Sequence, residues 1–170
     1  MVASPDSGAP VTVRRADLAD AADAARIVQM IDAYARDPRG GGAPLPEDVR
    51  ARLLPGLAAH PMARVWLAFQ GAEAIGVCVA FIGFSTFQGL PLLNIHDLAV
   101  LPEHRGRGVG RALLAAAEEL ARATGCGKLT LEVLEDNRPA RDLYHRFGFR
   151  DVYYGGGGPT RFLSKPLSVS

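Results

Sequence analysis

A layered α+β domain is the fold class this sequence predicts, and three observations predict it. Several segments carry apolar residues at i, i+3, i+4 and i+7, the spacing of one helix face. Other runs alternate or are continuously apolar between glycine, proline and asparagine punctuation, as strands do. In chain order these segments read βααβββαβαββ, an order that builds a mixed, mostly antiparallel sheet of about six to seven strands flanked by about four helices. At 170 residues the chain is long enough to bury its own core as one domain. That domain is expected over 11–167, after a loose, proline-punctuated tail over 1–10.

The elements follow from local signals. Residues 11–13 form a short strand. Asp17 or Asp20 caps a helix running to about Arg36, with Ala24, Ile27, Val28, Ile31 and Tyr34 along one face. Asp37-Pro38 stops it, and Gly40-Gly41-Gly42 makes a pliable loop. Pro46-Glu47-Asp48 opens a second helix that carries Val49, Leu53 and Leu54 and is expected to falter at Pro55-Gly56. Strands at 64–69 and 73–81 meet in the turn Gln70-Gly71-Ala72, and a third strand covers 92–100. A helix over 108–123 stacks Leu113, Leu114, Ala117, Leu120 and Ala121 on one side, with a Glu118–Arg122 pair on the wet side. After Gly125 and Gly127 a strand covers 128–134. Asn137 then caps a helix bearing Ala140, Leu143, Tyr144 and Phe147, which Gly148 closes. Strands at 149–154 and 160–167 complete the reading.

Composition narrows the function. Hydrophobic residues make up 48% and charged residues 22%, the balance of an ordinary globular protein. A formal net charge of +1 provides no global field for nucleic acid or acidic membranes, so any bound anion needs a local site. Cys78 and Cys126 have neither metal-ligand nor redox-pair spacing, and no metal is expected. The apolar run around Ile75 to Phe84 is too short and glycine-broken to span a bilayer, and no cationic segment leads into an apolar stretch near Met1. The expected location is the cytoplasm.

The local anion site is legible. A strand leads into Arg105-Gly106-Arg107-Gly108-Val109-Gly110, and a helix follows. Glycines let successive backbone N–H groups turn toward one point, the helix N-terminus adds its positive dipole end, and Arg105, Arg107 and Arg111 add charged donors. A diphosphate suits such a loop. The glycine spacing is one short of the dinucleotide fingerprint, and there is no Gly-Lys-Ser/Thr for a triphosphate loop. A merely flexible basic loop is the bland alternative.

Arg105-x-x-Gly108-x-Gly110 resembles the R/Q-x-x-G-x-G/A diphosphate signature of the GNAT family of N-acetyltransferases. Leu98-Ala99-Val100-Leu101-Pro102 before it, Leu113-Leu114 after it, Leu131-x-Val133-x-x-x-Asn137 and Leu143-Tyr144-x-x-x-Phe147-Gly148-Phe149 match further conserved segments, and the element order agrees over 11–167. The resemblance implies acetyl transfer from acetyl-coenzyme A to a primary amine by direct attack in a ternary complex, with coenzyme A as product. It implies that Arg105, Gly106, Arg107, Gly108, Val109, Gly110 and Arg111 hold the diphosphate. The strand backbone at Leu98, Ala99 and Val100 would meet the pantetheine arm and polarise the thioester carbonyl. Two strands, 92–100 and 128–134, would splay to admit that arm. Asn137 either meets a pantetheine amide or simply caps its helix.

Taken alone, Tyr144 reads as a core aromatic on the helix stripe; the resemblance reverses that reading, because the family places its general acid there. His96 is the candidate base, with a pKa near 6.5 suited to neutral pH. Many relatives carry glutamate there, whereas the arylalkylamine acetyltransferases are similar to this chain in having histidine; a structural histidine is the alternative. Strand parity places Asn94 and His96 on one face and Asp97 on the other.

Tyr34, Asn94 and Asp97 are the candidate acceptor contacts. The stretch from Gly83 to Leu98 faintly resembles the polyamine and thialysine branch, matching its aspartate at Asp97 but not its glutamate at His96. The expected acceptor is a small amino-acid-like or polyamine-like amine, with a protein N-terminus or lysine as alternative. A non-catalytic acyl-coenzyme A sensor is the reading from another class. The resemblance also allows a homodimer; no nucleic-acid or membrane partner is expected.

Overall fold

A computed structural model describes residues 9–152. The chain divides into two compact units, Met1–Leu131 and Glu132–Ser170. The first contains β1 (Val11–Arg15), α1 (Ala21–Arg36), α2 (Glu47–Ala59), β2 (Ala63–Gln70), β3 (Glu73–Ser85), β4 (Leu90–Val100), α3 (Val109–Ala123) and β5 (Lys128–Leu131). The second contains α4 (Arg138–Phe147).

The strands form a single five-stranded sheet in the order β1-β2-β3-β4-β5, antiparallel through β4 and parallel between β4 and β5. This corrects the expectation of six to seven strands: among the described residues the order is βααβββαβα. Residues 149–152 form no strand, because the Phe149 N–H is spent on the Tyr144 carbonyl (2.9 Å) where the left-handed Gly148 ends α4. Residues 153 and 154 and the expected strand at 160–167 lie outside the described residues. The strand predicted over 128–134 stops at Leu131, and the Leu134 carbonyl instead accepts the Asn137 N–H (3.0 Å) in the turn before α4. Conversely, β3 and β4 run longer than predicted and meet in a turn over 86–89. α2 continues through Pro55, since its carbonyl partner on exposed Ala51 can turn to water and Leu57 is buried at its far end.

One face of the sheet carries the main core. Ile27 and Met30 of α1 and Leu57 of α2 bury against Val65, Leu67, Phe69, Val77, Val79 and Ala99. The other face receives α3, whose Leu113, Leu114, Ala117 and Ala121 are buried, with Glu118 and Arg122 paired outside. Contact there is close at Gly76: a Cβ at that position would lie 3.1 Å from Leu113 Cδ1, 3.2 Å from Val109 Cγ1 and 3.2 Å from the Ala99 carbonyl. Only glycine lets the first turns of α3 settle this near to β3.

A buried carboxylate ties β1 to the start of α1. Asp20 caps α1 by accepting the Asp23 N–H (2.8 Å). Asp23, 2% exposed, accepts two bonds from Arg14 (2.6 and 2.7 Å), one from the Asp17 N–H (3.0 Å) and one from Arg26 (3.2 Å). Both guanidinium groups stand over the Phe69 ring. The Arg14 hydrogen bonds, above all, hold the Asp23 carboxyl well below the usual carboxylate range. Asp23→Ala should cost about 1–3 kcal/mol, the range for lost hydrogen bonds to a charged group whose arginine partners can turn to water, read as a lower urea midpoint. Since the folded pKa lies below the unfolded value of about 3.9, this contribution is full above that pH and lost as pH falls beneath it. The gap between variant and parent should therefore close in acid.

Candidate functional site

β4 carries one residue more than β3 can match. Asp97 pairs with Val79 and Ile95 pairs with Ala80, which leaves His96 as the surplus residue of a β-bulge. A bulge shifts the in–out alternation, and the parity expectation fails here. Asn94 lies opposite Phe81, and Asp97 lies opposite Val79; both partners belong to the core under α1 and α2. The His96 ring meets the Phe81 ring edge-on at 5.5 Å. Asn94, His96 and Asp97 therefore all serve the α1–α2 face of the sheet.

The same place marks the end of β5 pairing. The parallel register runs from Leu92↔Lys128 to Ile95↔Leu131 and stops. Beyond it β4 is hydrogen-bonded to β3 alone, so Leu98, Ala99 and Val100 keep an edge that no described strand covers. Asn94, a candidate acceptor contact, instead donates to Thr130 Oγ1 (3.1 Å) and fastens β4 to β5 one residue before β5 ends.

Around the bulge the electrostatics are unbalanced. Burial pushes the Asp97 carboxyl up, and the neighbouring His96 opposes that push. Asp97 accepts no hydrogen bond from a described side chain and pairs with no described arginine or lysine. Burial also raises the Tyr34 phenol, with the charges of Asp97 and Asp37 adding to it. Tyr34 and Asp97 thus share one neighbourhood. Asp97 adds a smaller push to the buried Cys78 thiol, which burial drives up to about 12. His60 also meets the Phe81 ring edge-on, at 4.9 Å, so Phe81 contacts two histidines.

The glycine-rich loop has the backbone that its sequence suggested. A short 3-10 turn at Pro102–His104 leads into it, and Gly106 (φ 73°) and Gly108 (φ 84°) are left-handed. A Cβ at either would meet nothing within 4 Å, so glycine is needed there for backbone conformation and not for room. Gly108 caps α3 without a side-chain hydrogen bond. An uncapped helix N-terminus behind two left-handed glycines suits an anion such as a diphosphate, and Arg107 and Arg111 lie in the same stretch. Arg105 behaves differently: its Nε donates to the Val100 carbonyl (2.9 Å) and its Nη2 to Asp37 (2.7 Å).

In the second unit, Asn137 Oδ1 accepts the Ala140 N–H (3.4 Å), which gives Asn137 the helix-cap role. Tyr144 is buried on α4, edge-on to Phe149 at 5.8 Å. Among the described residues no group of three or more histidine, cysteine or acidic side chains is gathered for a metal, and no helix is long and apolar enough to cross a membrane. Sequence reasoning gave His60 little weight among the histidines, and it singled out neither the Asp37–Arg105 pair nor Phe81. Asp37 was visible only as a helix stop, and nothing in the local pattern of Phe81 distinguishes it from a core aromatic.

Comparison with known proteins agrees with this arrangement. A thialysine N-ε-acetyltransferase of Bos taurus is 35% identical over 83 residues, covering 49% of this chain and 48% of that protein. Streptothricin acetyltransferase of Streptomyces lavendulae is 49% identical over 81 residues, covering 48% and 43%. The chain thus spans about half the length of these curated relatives. The solved structure of an Arthrobacter sp. FB24 protein assigned as an acetyltransferase is 30% identical, covers 95% of this chain and 99% of its own, and superposes with a TM-score of 0.74. Residues 27–149 match the model of the acetyltransferase (GNAT) family, and the chain belongs to that family.

Proposed function

We propose that this protein transfers the acetyl group of acetyl-coenzyme A to a small primary amine, amino-acid-like or polyamine-like, by direct attack in a ternary complex within one catalytic domain over 11–167. The observation that carries the proposal is the coincidence at His96: the bulge, the end of β5 pairing and a half-buried carboxylate without a described arginine or lysine partner fall within two residues of one another. The relatives named for thialysine and streptothricin favour a small-molecule acceptor.

Bound acetyl-coenzyme A would supply the activated acetyl group. The backbone from Gly106 to Gly110 and the side chains of Arg107 and Arg111 would hold its diphosphate. The open edge at Leu98, Ala99 and Val100 would take the pantetheine arm and stabilise charge on the carbonyl oxygen. Asp97 would attract the acceptor's ammonium, with Tyr34 alongside. His96, exposed on the bulge, would remove the ammonium proton directly or through water, and Tyr144 would donate its proton to the departing sulfur.

Calorimetry with acetyl-coenzyme A and a thiol-release screen across amine classes test the reading. Absence of binding would sink it, and binding without turnover on any amine or peptide would leave an acyl-coenzyme A sensor. Tyr144→Phe should lower kcat roughly 10²–10⁴-fold, the range for a lost acid catalyst, and an unchanged kcat would remove Tyr144 from that role. His96→Ala should displace the acidic limb of the kcat/KM profile, whereas an unaltered limb would make His96 structural.

Asp97 separates site from scaffold. Its folded pKa is raised, so ionisation there lowers stability as pH climbs above the unfolded value of about 3.9. Asp97→Asn should therefore raise stability at pH 7, by a few tenths to about 1 kcal/mol, and give no gain near pH 3. The same variant should raise the amine KM. Loss of stability at pH 7 would mark Asp97 as a structural residue.

A further inference from the structure

The loop between α1 and α2, on the acceptor side of the proposed site, is held far more firmly than three consecutive glycines suggest. The Asp37 carbonyl accepts the N–H groups of Gly40 (2.8 Å), Gly41 (3.1 Å) and Gly42 (3.0 Å), and its Oδ1 accepts the Arg39 N–H (2.9 Å). Ala43 donates back to the Ala35 carbonyl (3.2 Å), and Leu45 donates to buried Asp32 (2.9 Å). Gly40 is pressed so closely on the last turn of α1 that a Cβ there would stand 1.9 Å from the Tyr34 carbonyl oxygen. The loop is thus folded back onto the residue that neighbours Asp97.

A single side chain joins this loop to the diphosphate loop. Arg105, 68 residues away in sequence, spans from the Val100 carbonyl at the end of β4 to Asp37 Oδ2. The Asp37 carboxylate is only 13% exposed, and its hydrogen bonds from Arg39 N–H and Arg105 hold it below the usual carboxylate range. A guanidinium used this way has its fork committed to protein acceptors.

We propose that Arg105 is a positioning residue, whose guanidinium bolts the α1–α2 loop to the end of β4 and so fixes Tyr34 against Asp97 for the incoming amine. The proposal rests on the acetyltransferase reading above and departs from the motif's usual sense, in which the arginine belongs to the diphosphate. It predicts that the damage from losing this side chain falls on the acceptor and not on acetyl-coenzyme A.

The test uses the full chain with Arg105→Gln, Asp37→Asn and the double variant. Asp37→Asn keeps an oxygen for the Arg39 N–H while removing the charge. Each single variant should raise the amine KM roughly three- to tenfold, with acetyl-coenzyme A affinity by calorimetry within about twofold of the parent. The double variant should be no worse than either single one, as expected for one shared interaction. Without any ligand, tryptic nicking after Arg39 should be faster in all three. Weakened acetyl-coenzyme A binding with an unmoved amine KM and unmoved nicking would return Arg105 to the diphosphate and overturn the proposal. Additive effects in the double variant would also overturn it. If the parent protein binds no acetyl-coenzyme A, the functional reading fails, and the nicking rates still decide whether Arg105 holds the loop.

Discussion

His96 has no partner opposite it in β3, and that one unmatched residue decides which face of the sheet Asp97 joins. With regular alternation, Asp97 would sit beneath α3 and away from Tyr34. The extra residue turns Asp97 toward the core under α1 and α2, beside Val79 and within the electrostatic reach of Tyr34. It also coincides with the last β4–β5 pair, Ile95↔Leu131. A bulge increases local twist, and a strand that twists away from its parallel neighbour leaves backbone polar groups for something other than a strand. Asn94, bonded to Thr130 one step earlier, ties the two strands together beside the end of β5.

The carboxylates of the first unit sort themselves by partner. Asp23 is surrounded by Arg14, Arg26 and a backbone N–H; Asp32 takes Arg36 and the Leu45 N–H; Asp37 takes Arg105 and the Arg39 N–H. Each is pulled below the usual range, and each fastens one piece of chain to another. Asp97 is pushed the opposite way and fastens nothing. A half-buried carboxylate whose one described charged neighbour is His96 lowers stability when it ionises, in contrast to the three that fasten chain to chain.

Much of this was written locally in the sequence. The helices were legible because capping and periodicity are local: Asp20 at α1, Asn137 and Gly148 around α4, and the Leu113–Ala117–Ala121 stripe of α3. The left-handed glycines of the diphosphate loop were legible for the same reason. The strands were less so. Residues 149–152 have a strand-like composition, yet the N–H of Phe149 is captured by the end of α4, a choice that depends on Gly148 and not on β propensity. The bulge was invisible because it is a property of two strands paired together: nothing in Ile95-His96-Asp97 alone says that β3 offers one residue fewer. The close seat of α3 at Gly76 was hidden likewise, since the glycine is explained only by Val109 and Leu113, more than thirty positions on.

Arg105 shows the same limit at the scale of one side chain. A motif fixes the order of residues along the loop, and with it the backbone conformation that Gly106 and Gly108 permit. It does not fix the direction of a long, flexible side chain that has several acceptors within reach. Asp37 became one of those acceptors only because α1 ends at that residue, with the three glycines that follow turned back onto its carbonyl. In this chain the signature arginine joins two loops, while the N-terminus of α3 behind Gly108 keeps no side-chain cap. The glycine-rich loop and the loop after α1 are thereby joined through a carboxylate, a guanidinium and the closing turn of a helix.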